Sequence, residues 1–154
     1  MAAIEERTTS DQGETGGPLV HPTGLDHANL HVRDVEASLR FYTDVLGLTL
    51  HHVNRRDDAG RATFVALRTG RDTVFLMQQE DYRPPAERSA RGLNHICLLV
   101  DSADPRQLQA DLRARGVVIR GTREGHTDGG RRTFSVYVED LDGHGVELEQ
   151  VVST

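Results

Sequence analysis

The 154-residue chain is short of several things, and each shortage narrows its chemistry. It has one cysteine, Cys97, so no internal disulfide can form. Set inside an apolar run, that residue is expected to act as a small buried hydrophobe, in keeping with a reducing, cytoplasmic setting. No apolar run approaches the ~20 residues needed to cross a bilayer, so no membrane partner is expected. Basic residues are outnumbered, 18 against 24 acidic ones, for a formal charge of -6. That balance disfavours nucleic acid, whose phosphates demand a basic surface. Residues 1–22 lack the charged-then-apolar pattern of a signal peptide and are rich in Glu, Thr, Gly and Ser. They read as a flexible tail. None of the 18 cationic side chains is a lysine.

What is present is a repetition. Gly24-Leu25-Asp26-His27-Ala28-Asn29-Leu30-His31-Val32 returns 68 positions later as Gly92-Leu93-Asn94-His95-Ile96-Cys97-Leu98-Leu99-Val100. Glycine, leucine, histidine and valine coincide, and a fixed offset of this kind indicates two structural modules, each presenting one imidazole. The chain is long enough for one domain with a proper core, and the copies are too short to be separate domains. The expected organisation is therefore a single domain over residues 23–154. Its first module covers about 23–80, a charged linker with two prolines about 80–91, and the second module about 92–152.

Within each module the periodicity supports the same order. Leu25 to Val32 alternates, with Ala28, Leu30 and Val32 on one face and His27, Asn29 and His31 on the other, which is the period of a strand. Asp34 is a suitable N-cap, and Val35, Leu39, Tyr42 and Leu46 recur at helical spacing before Gly47. Strands are expected at Leu48–Val53, Arg61–Leu67 and Thr73–Gln78. The second module repeats the plan. A strand at Asn94–Val100 leads to a helix capped by Asp104-Pro105 and ended by Gly116. Strands follow at Val117–Arg120, Arg132–Val138 and Gly145–Val151, with a polar loop over Gly121–Gly130 between the first two. Helices separated by runs of strands indicate an α+β protein.

Three groups invite chemistry. His27 and His95 occupy matching places, and pseudo-symmetry can bring such strands together around a cation that wants an anionic third ligand. Glu147 and Glu149 in the last strand have the same parity, and spacing does not choose between them. A lone strand histidine is more often a hydrogen-bonded structural residue; the duplication is what raises the alternative of a shared metal. His51, His52, His126 and His144 fall at strand ends or in turns and read as surface residues, as do the paired arginines Arg55-Arg56 and Arg131-Arg132.

The chain resembles the vicinal oxygen chelate superfamily, which includes glyoxalase I, extradiol dioxygenases, fosfomycin-resistance enzymes, methylmalonyl-CoA epimerase and bleomycin-binding proteins. The likeness covers about Gly24 to Val151. It rests on Leu25-Asp26-His27, Val32-Arg33-Asp34-Val35, Phe41-Tyr42, Val45-Leu46-Gly47-Leu48, Leu93-Asn94-His95 and Asp140-Leu141-Asp142-Gly143-His144-Gly145-Val146-Glu147-Leu148. The last segment is similar to the family's D-P-D-G-x-x-[IV]-E-L signature, with Leu141 in place of proline.

The resemblance implies paired βαβββ modules forming a curled mixed sheet around a metal-binding cavity, commonly in a homodimer. It implies a metal set of His27, His95 and Glu147, with Fe(II) or Mn(II) favoured and Ni, Co or Zn as alternatives. Gln78 falls near the place of a fourth ligand that glyoxalases and epimerases use, and is expected to contact substrate. Tyr137, ten residues before Glu147, matches a tyrosine that contacts substrate in dioxygenases and fosfomycin transferases. Ser135 matches a serine of the transferase pocket, but the lysine of that pocket is missing. The histidine that extradiol dioxygenases place before the second metal histidine is also missing. Asn29 and His31 share the face of His27, as a substrate contact and an acid–base group respectively.

Three functions follow as expectations. The first is a dioxygenase-like enzyme acting on a small molecule with adjacent oxygen atoms. The second is a glyoxalase- or epimerase-like isomerase or lyase, or a fosfomycin-type transferase. The third is a protein that sequesters a drug or product without catalysis.

Overall fold

A computed structural model describes residues 25–87, 92–101, 104–127 and 129–152. The expected tail, residues 1–22, lies outside the described residues, as do four residues of the expected linker.

Eight strands form two separate mixed sheets of four. The first holds β1 (His27–Val32), β2 (Thr49–Arg56), β3 (Ala62–Thr69) and β4 (Asp72–Gln78) in the order β1-β4-β3-β2. The second holds β5 (Ile96–Leu99), β6 (Ile119–His126), β7 (Arg132–Glu139) and β8 (Gly145–Val151) in the order β5-β8-β7-β6. The two orders are the same order. In each sheet the first strand pairs in parallel with the last, and the remaining pairs are antiparallel. The α+β class and the doubled β-α-β-β-β plan stand, with each module forming its own mixed sheet.

Each module has one helix. In α1 (Val35–Arg40) the Asp34 carboxylate accepts from the Ala37 N–H at 3.0 Å, closing the exposed first turn. The expected single helix to Leu46 changes pitch instead: Phe41–Val45 is a π-helical turn, with Leu46 N–H donating to Phe41 O. The change fits what the turn carries. Thr43 Oγ1 bonds back to Leu39 O, a contact that bends helices, and the Tyr42 ring is fully buried with its hydroxyl committed elsewhere. Gly47, at φ +79°, then reverses the chain in a conformation that side chains rarely adopt. In α2 (Pro105–Ala114) Asp104 accepts from Arg106 N–H at 2.8 Å.

One apolar cluster joins both modules. Val32, Val65, Leu67 and Leu76 of the first sheet belong to it together with Val136, Val138, Val146 and Leu148 of the second. These residues come from one face of each sheet; the opposite faces carry the chemistry. Two strand limits differ most from expectation. β2 runs on through Arg56, and β6 occupies most of the segment expected as a polar loop. Both are outer strands, mostly exposed, and hydrogen bonding to a neighbour rather than apolar alternation holds them.

A buried polar clasp ties the modules together. The turn from Asp140 to Gly145 precedes β8, and its carboxylates reach into the first module. Asp140 accepts from Tyr42 Oη at 2.8 Å, and its other oxygen accepts from the N–H groups of Asp142 and His144. Asp142 accepts from Arg33 Nε at 2.6 Å and from Ser38 Oγ at 3.2 Å. His144, expected at the surface, stacks on Tyr82 and places Nε2 2.7 Å from the carbonyl of His31. Burial raises the Asp140 carboxyl above its ordinary value, and burial with the adjacent Asp140 raises the Tyr42 phenol well above its own.

Candidate metal centre

The polar face of the second sheet gathers the strongest candidates. Registry puts Cys97, Glu147 and Tyr137 side by side across β5, β8 and β7. His95 stands one residue before β5. Its Nε2 lies 2.8 Å from Glu147 Oε2, and Tyr137 Oη donates to Glu147 Oε1, also at 2.8 Å. The tyrosine ring stands edge-on to the imidazole at 5.7 Å. A recess of about 160 Å³ opens here, lined by His95, Tyr137, Asn94 and Arg120 among others.

The approach of β8 to His95 depends on Gly145. A Cβ there would meet Asn94 O at 2.5 Å and His95 Cβ at 3.1 Å, so only glycine lets the strand start so close to the imidazole. Glu147 then follows two residues on, nearly buried, with its carboxylate turned to His95.

Each histidine is oriented by the residue before it. Asp26 Oδ2 lies 2.8 Å from His27 Nδ1, and Asn94 Oδ1 lies 3.0 Å from His95 Nδ1. Both partners are acceptor oxygens, so Nδ1 carries the proton and the Nε2 lone pair is left to face outward, as a ligating imidazole requires. For His95 this has a consequence. A lone pair and a carboxylate oxygen 2.8 Å apart repel unless a cation lies between them, either a proton on Nε2 or a metal ion. Two donors each about 2.1 Å from one ion and at right angles to it stand about 3 Å apart. Imidazole and carboxylate also suit Fe, Mn and Zn. His95 and Glu147 thus offer two of the donors that a divalent ion takes.

The first sheet supplies the other histidine. His27, Asn29 and His31 line one face, with Thr73, Phe75 and Met77 of β4 beside them. Phe75 meets the His27 ring edge-on at 4.8 Å and lies 5.1 Å from Phe64. Within one chain His27 does not join His95 and Glu147: among the described residues no three His, Cys, Asp or Glu side chains gather in a metal-binding group. Asn29 and His31 line a separate recess of about 220 Å³ with Tyr82 and His144.

Other expected site residues are placed as follows. Gln78 belongs to the opposite face: it pairs with Val32, and its Oε1 accepts from the Val35 N–H at the start of α1. That bond and the strand parity place Gln78 on the face opposite His27. Ser135 shares the face of Tyr137 but is buried. Cys97, expected in the core, is exposed on the polar face instead, because its parity is that of Glu147. Partial burial of the thiol, then the Glu147 and Glu149 carboxylates, push it up to about 11. Burial and the bond to Glu147 raise the Tyr137 phenol, while Arg123 pulls it the other way. Asp26, Asn94, Phe75 and Arg123 were not singled out from sequence. The doubled position before each histidine was a signal for the first two, and the unrecognised extent of β6 hid Arg123.

Two mixed sheets with one helix each, an imidazole–carboxylate pair on the second and a matching imidazole on the first, define a duplicated-module α+β protein. The chain matches the Glyoxalase/Bleomycin resistance protein/Dioxygenase superfamily over residues 24–148, and it belongs to that superfamily. Among its relatives is the virulence protein STM3117 of Salmonella typhimurium, 29% identical over 131 residues, 83% of this chain and 84% of that one. The crystal structure of STM3117 is similar to this one with a TM-score of 0.63 at 27% identity, covering 86% of this chain and all of that one. The glutathione transferase FosA of Serratia marcescens is 32% identical over 126 residues, 80% of this chain and 78% of its own. A catechol-2,3-dioxygenase of Bacillus subtilis is 28% identical over 130 residues, 82% of this chain but only 41% of that protein.

Proposed function

We propose that the protein is a divalent-metal-dependent enzyme acting on a small molecule with adjacent oxygen atoms, by a dioxygenase-like reaction. His27, His95 and Glu147 are its metal ligands, and Fe(II) or Mn(II) is the ion. The observation that carries this reading is the 2.8 Å approach of His95 Nε2 to Glu147 Oε2 with Nδ1 already engaged by Asn94. His27 belongs to the other sheet, so the third ligand comes from a second copy of the chain, and the active form is a homodimer in which the first sheet of one copy faces the second sheet of the other.

The chain's own groups have separable tasks. Asp26 and Asn94 hold each imidazole with Nε2 free. Tyr137 ties down one oxygen of Glu147, leaving the other for His95 and the ion. Two imidazoles and one carboxylate would hold a divalent ion, which would supply Lewis-acid polarisation of the substrate oxygens. The relationship to a catechol-2,3-dioxygenase supports this choice. The test is anaerobic loading with Fe(II), elemental analysis, and oxygen uptake with a panel of vicinal diols. One ion per chain and uptake with at least one diol are expected; no uptake across the panel overturns the oxygenase reading.

One observation favours a transferase instead. Arg123 of β6 pairs with Ser135, on the strand face of Tyr137, and offers a cation of the kind that a fosfomycin-type pocket takes, and FosA is among the relatives. Thiol addition to an anionic epoxide with Mn(II), independent of oxygen, would establish that alternative.

A further inference from the structure

The two modules share a backbone plan, so every position in one sheet has a counterpart in the other. Glu147 lies across from Cys97, two residues past His95. Phe75 lies across from Asn29, two residues past His27. The counterpart of the ligating carboxylate is therefore a phenyl ring. The next strand repeats the relation: Tyr137 pairs with Glu147, and Ala66 pairs with Phe75. Where the second sheet has a carboxylate steadied by a phenol, the first has a ring with a methyl group beside it. Phe75 is half-buried, edge-on to His27 and against Phe64.

We infer that Phe75 sets both the donor count and the ligand preference of the metal centre, closing the place of a fourth protein donor and giving the bound molecule an apolar, aromatic wall beside His27. This rests on the proposed metal site and adds to it the shape of what binds: a flat, apolar skeleton next to the chelating oxygens. A carboxylate at that place would fill a coordination position and add a negative charge. Phenylalanine has no donor, so the position stays available to the ligand, and the ring edge offers stacking and apolar contact to whatever takes it. Because Phe75 and His27 are on one sheet, the relation holds whichever copy supplies the other two ligands.

The experiment uses the full chain and Mn(II). Affinity is read by competition with a chelator, and the waters left on the ion by water-proton relaxation, in wild type, Phe75→Glu and Phe75→Ala. Catechol and oxalate, two bidentate oxygen ligands with and without a ring, are then titrated against the Mn(II) proteins. Phe75→Glu is expected to tighten Mn(II) by about tenfold, since ligand charge count governs affinity, and to lower the relaxation by one water. Phe75→Ala is expected to leave Mn(II) affinity within about twofold while weakening catechol, and not oxalate, by about tenfold. Unchanged Mn(II) affinity and relaxation in folded Phe75→Glu, or equal weakening of catechol and oxalate in Phe75→Ala, overturns the inference and leaves the metal site standing. Should Phe75→Glu fail to fold, the Phe75→Ala titrations decide. Absence of Mn(II) binding by wild type overturns both, and is seen before any variant is made.

Discussion

The two sheets are alike in topology and unlike in chemistry. Both present a histidine whose Nδ1 is held by the preceding residue. Only the second sheet adds a carboxylate, a phenol and a glycine that lets the strand close on the imidazole. The turns before the last strands differ as well. In the second module Asp140 and Asp142 are buried and bonded to the first module, whereas the matching turn of the first module is exposed apart from half-buried Thr69. Duplication thus supplies a scaffold with two equivalent places, and divergence turns one into a carboxylate half-site and the other into an apolar half-site. Among the described residues neither half gathers three metal-donor side chains, and the proposed site therefore calls on two copies of the chain.

The sharpest way to break that comparison is to disable one half at a time. His27→Ala and Glu147→Ala should each lower Mn(II) affinity more than about 100-fold, beyond what loss of a supporting residue costs. After co-refolding of the two variants, calorimetry should recover intact sites, since one pairing in each mixed dimer keeps all three ligands. No recovery would show that the ligands of one chain act together. Next in size is Gly145→Ala. The added Cβ strikes backbone at 2.5 Å, and the fold should lose about 2–3 kcal/mol in urea unfolding, whereas alanine at exposed Gly70 should cost less, through its positive φ alone.

Smaller effects sharpen the contrast. Asn94→Ala should weaken the metal by about tenfold. Asp26→Ala should weaken it by less than about threefold, because the Asp26 side chain is 94% exposed and water replaces it readily; equal losses would mean that the two imidazoles depend alike on their partners. Tyr42→Phe, which strips one bond from the clasp, should cost about 1 kcal/mol. Smallest is a pH effect. Burial raises the Asp140 carboxyl, so the native state holds that proton more tightly than the unfolded chain. The associated stability is fully present below the ordinary carboxyl range and is lost as pH rises through the folded value. The unfolding free energy of wild type from urea titrations should therefore fall relative to Asp140→Asn over that interval, by no more than about 1.4 kcal/mol per pH unit.

Much of the fold was legible. The offset repeat announced two modules because a duplicated backbone leaves duplicated glycines and histidines. Asp34 and Asp104 marked the helix starts because a cap needs an acceptor at one place. The outer strands β2 and β6 were misjudged at their ends because a partner's backbone, which leaves no mark in side-chain order, holds them. The same blindness misplaced His144, since nothing in a turn's composition says that it will dock on a distant carbonyl.

By itself the order of residues gave the class, the doubled plan and the matched candidates His27 and His95, because strand period and a fixed offset are one-dimensional quantities; Glu147 was set apart from Glu149 by the family resemblance alone. Tertiary structure alone decided which of them meet. Parity turned Gln78 toward the helix and Cys97 toward Glu147, registry set Phe75 where the carboxylate's twin would be, and assembly into two separate sheets left His27 apart from His95 and Glu147. Those are distances between strands far apart along the chain, and they exist only once the sheets have been assembled.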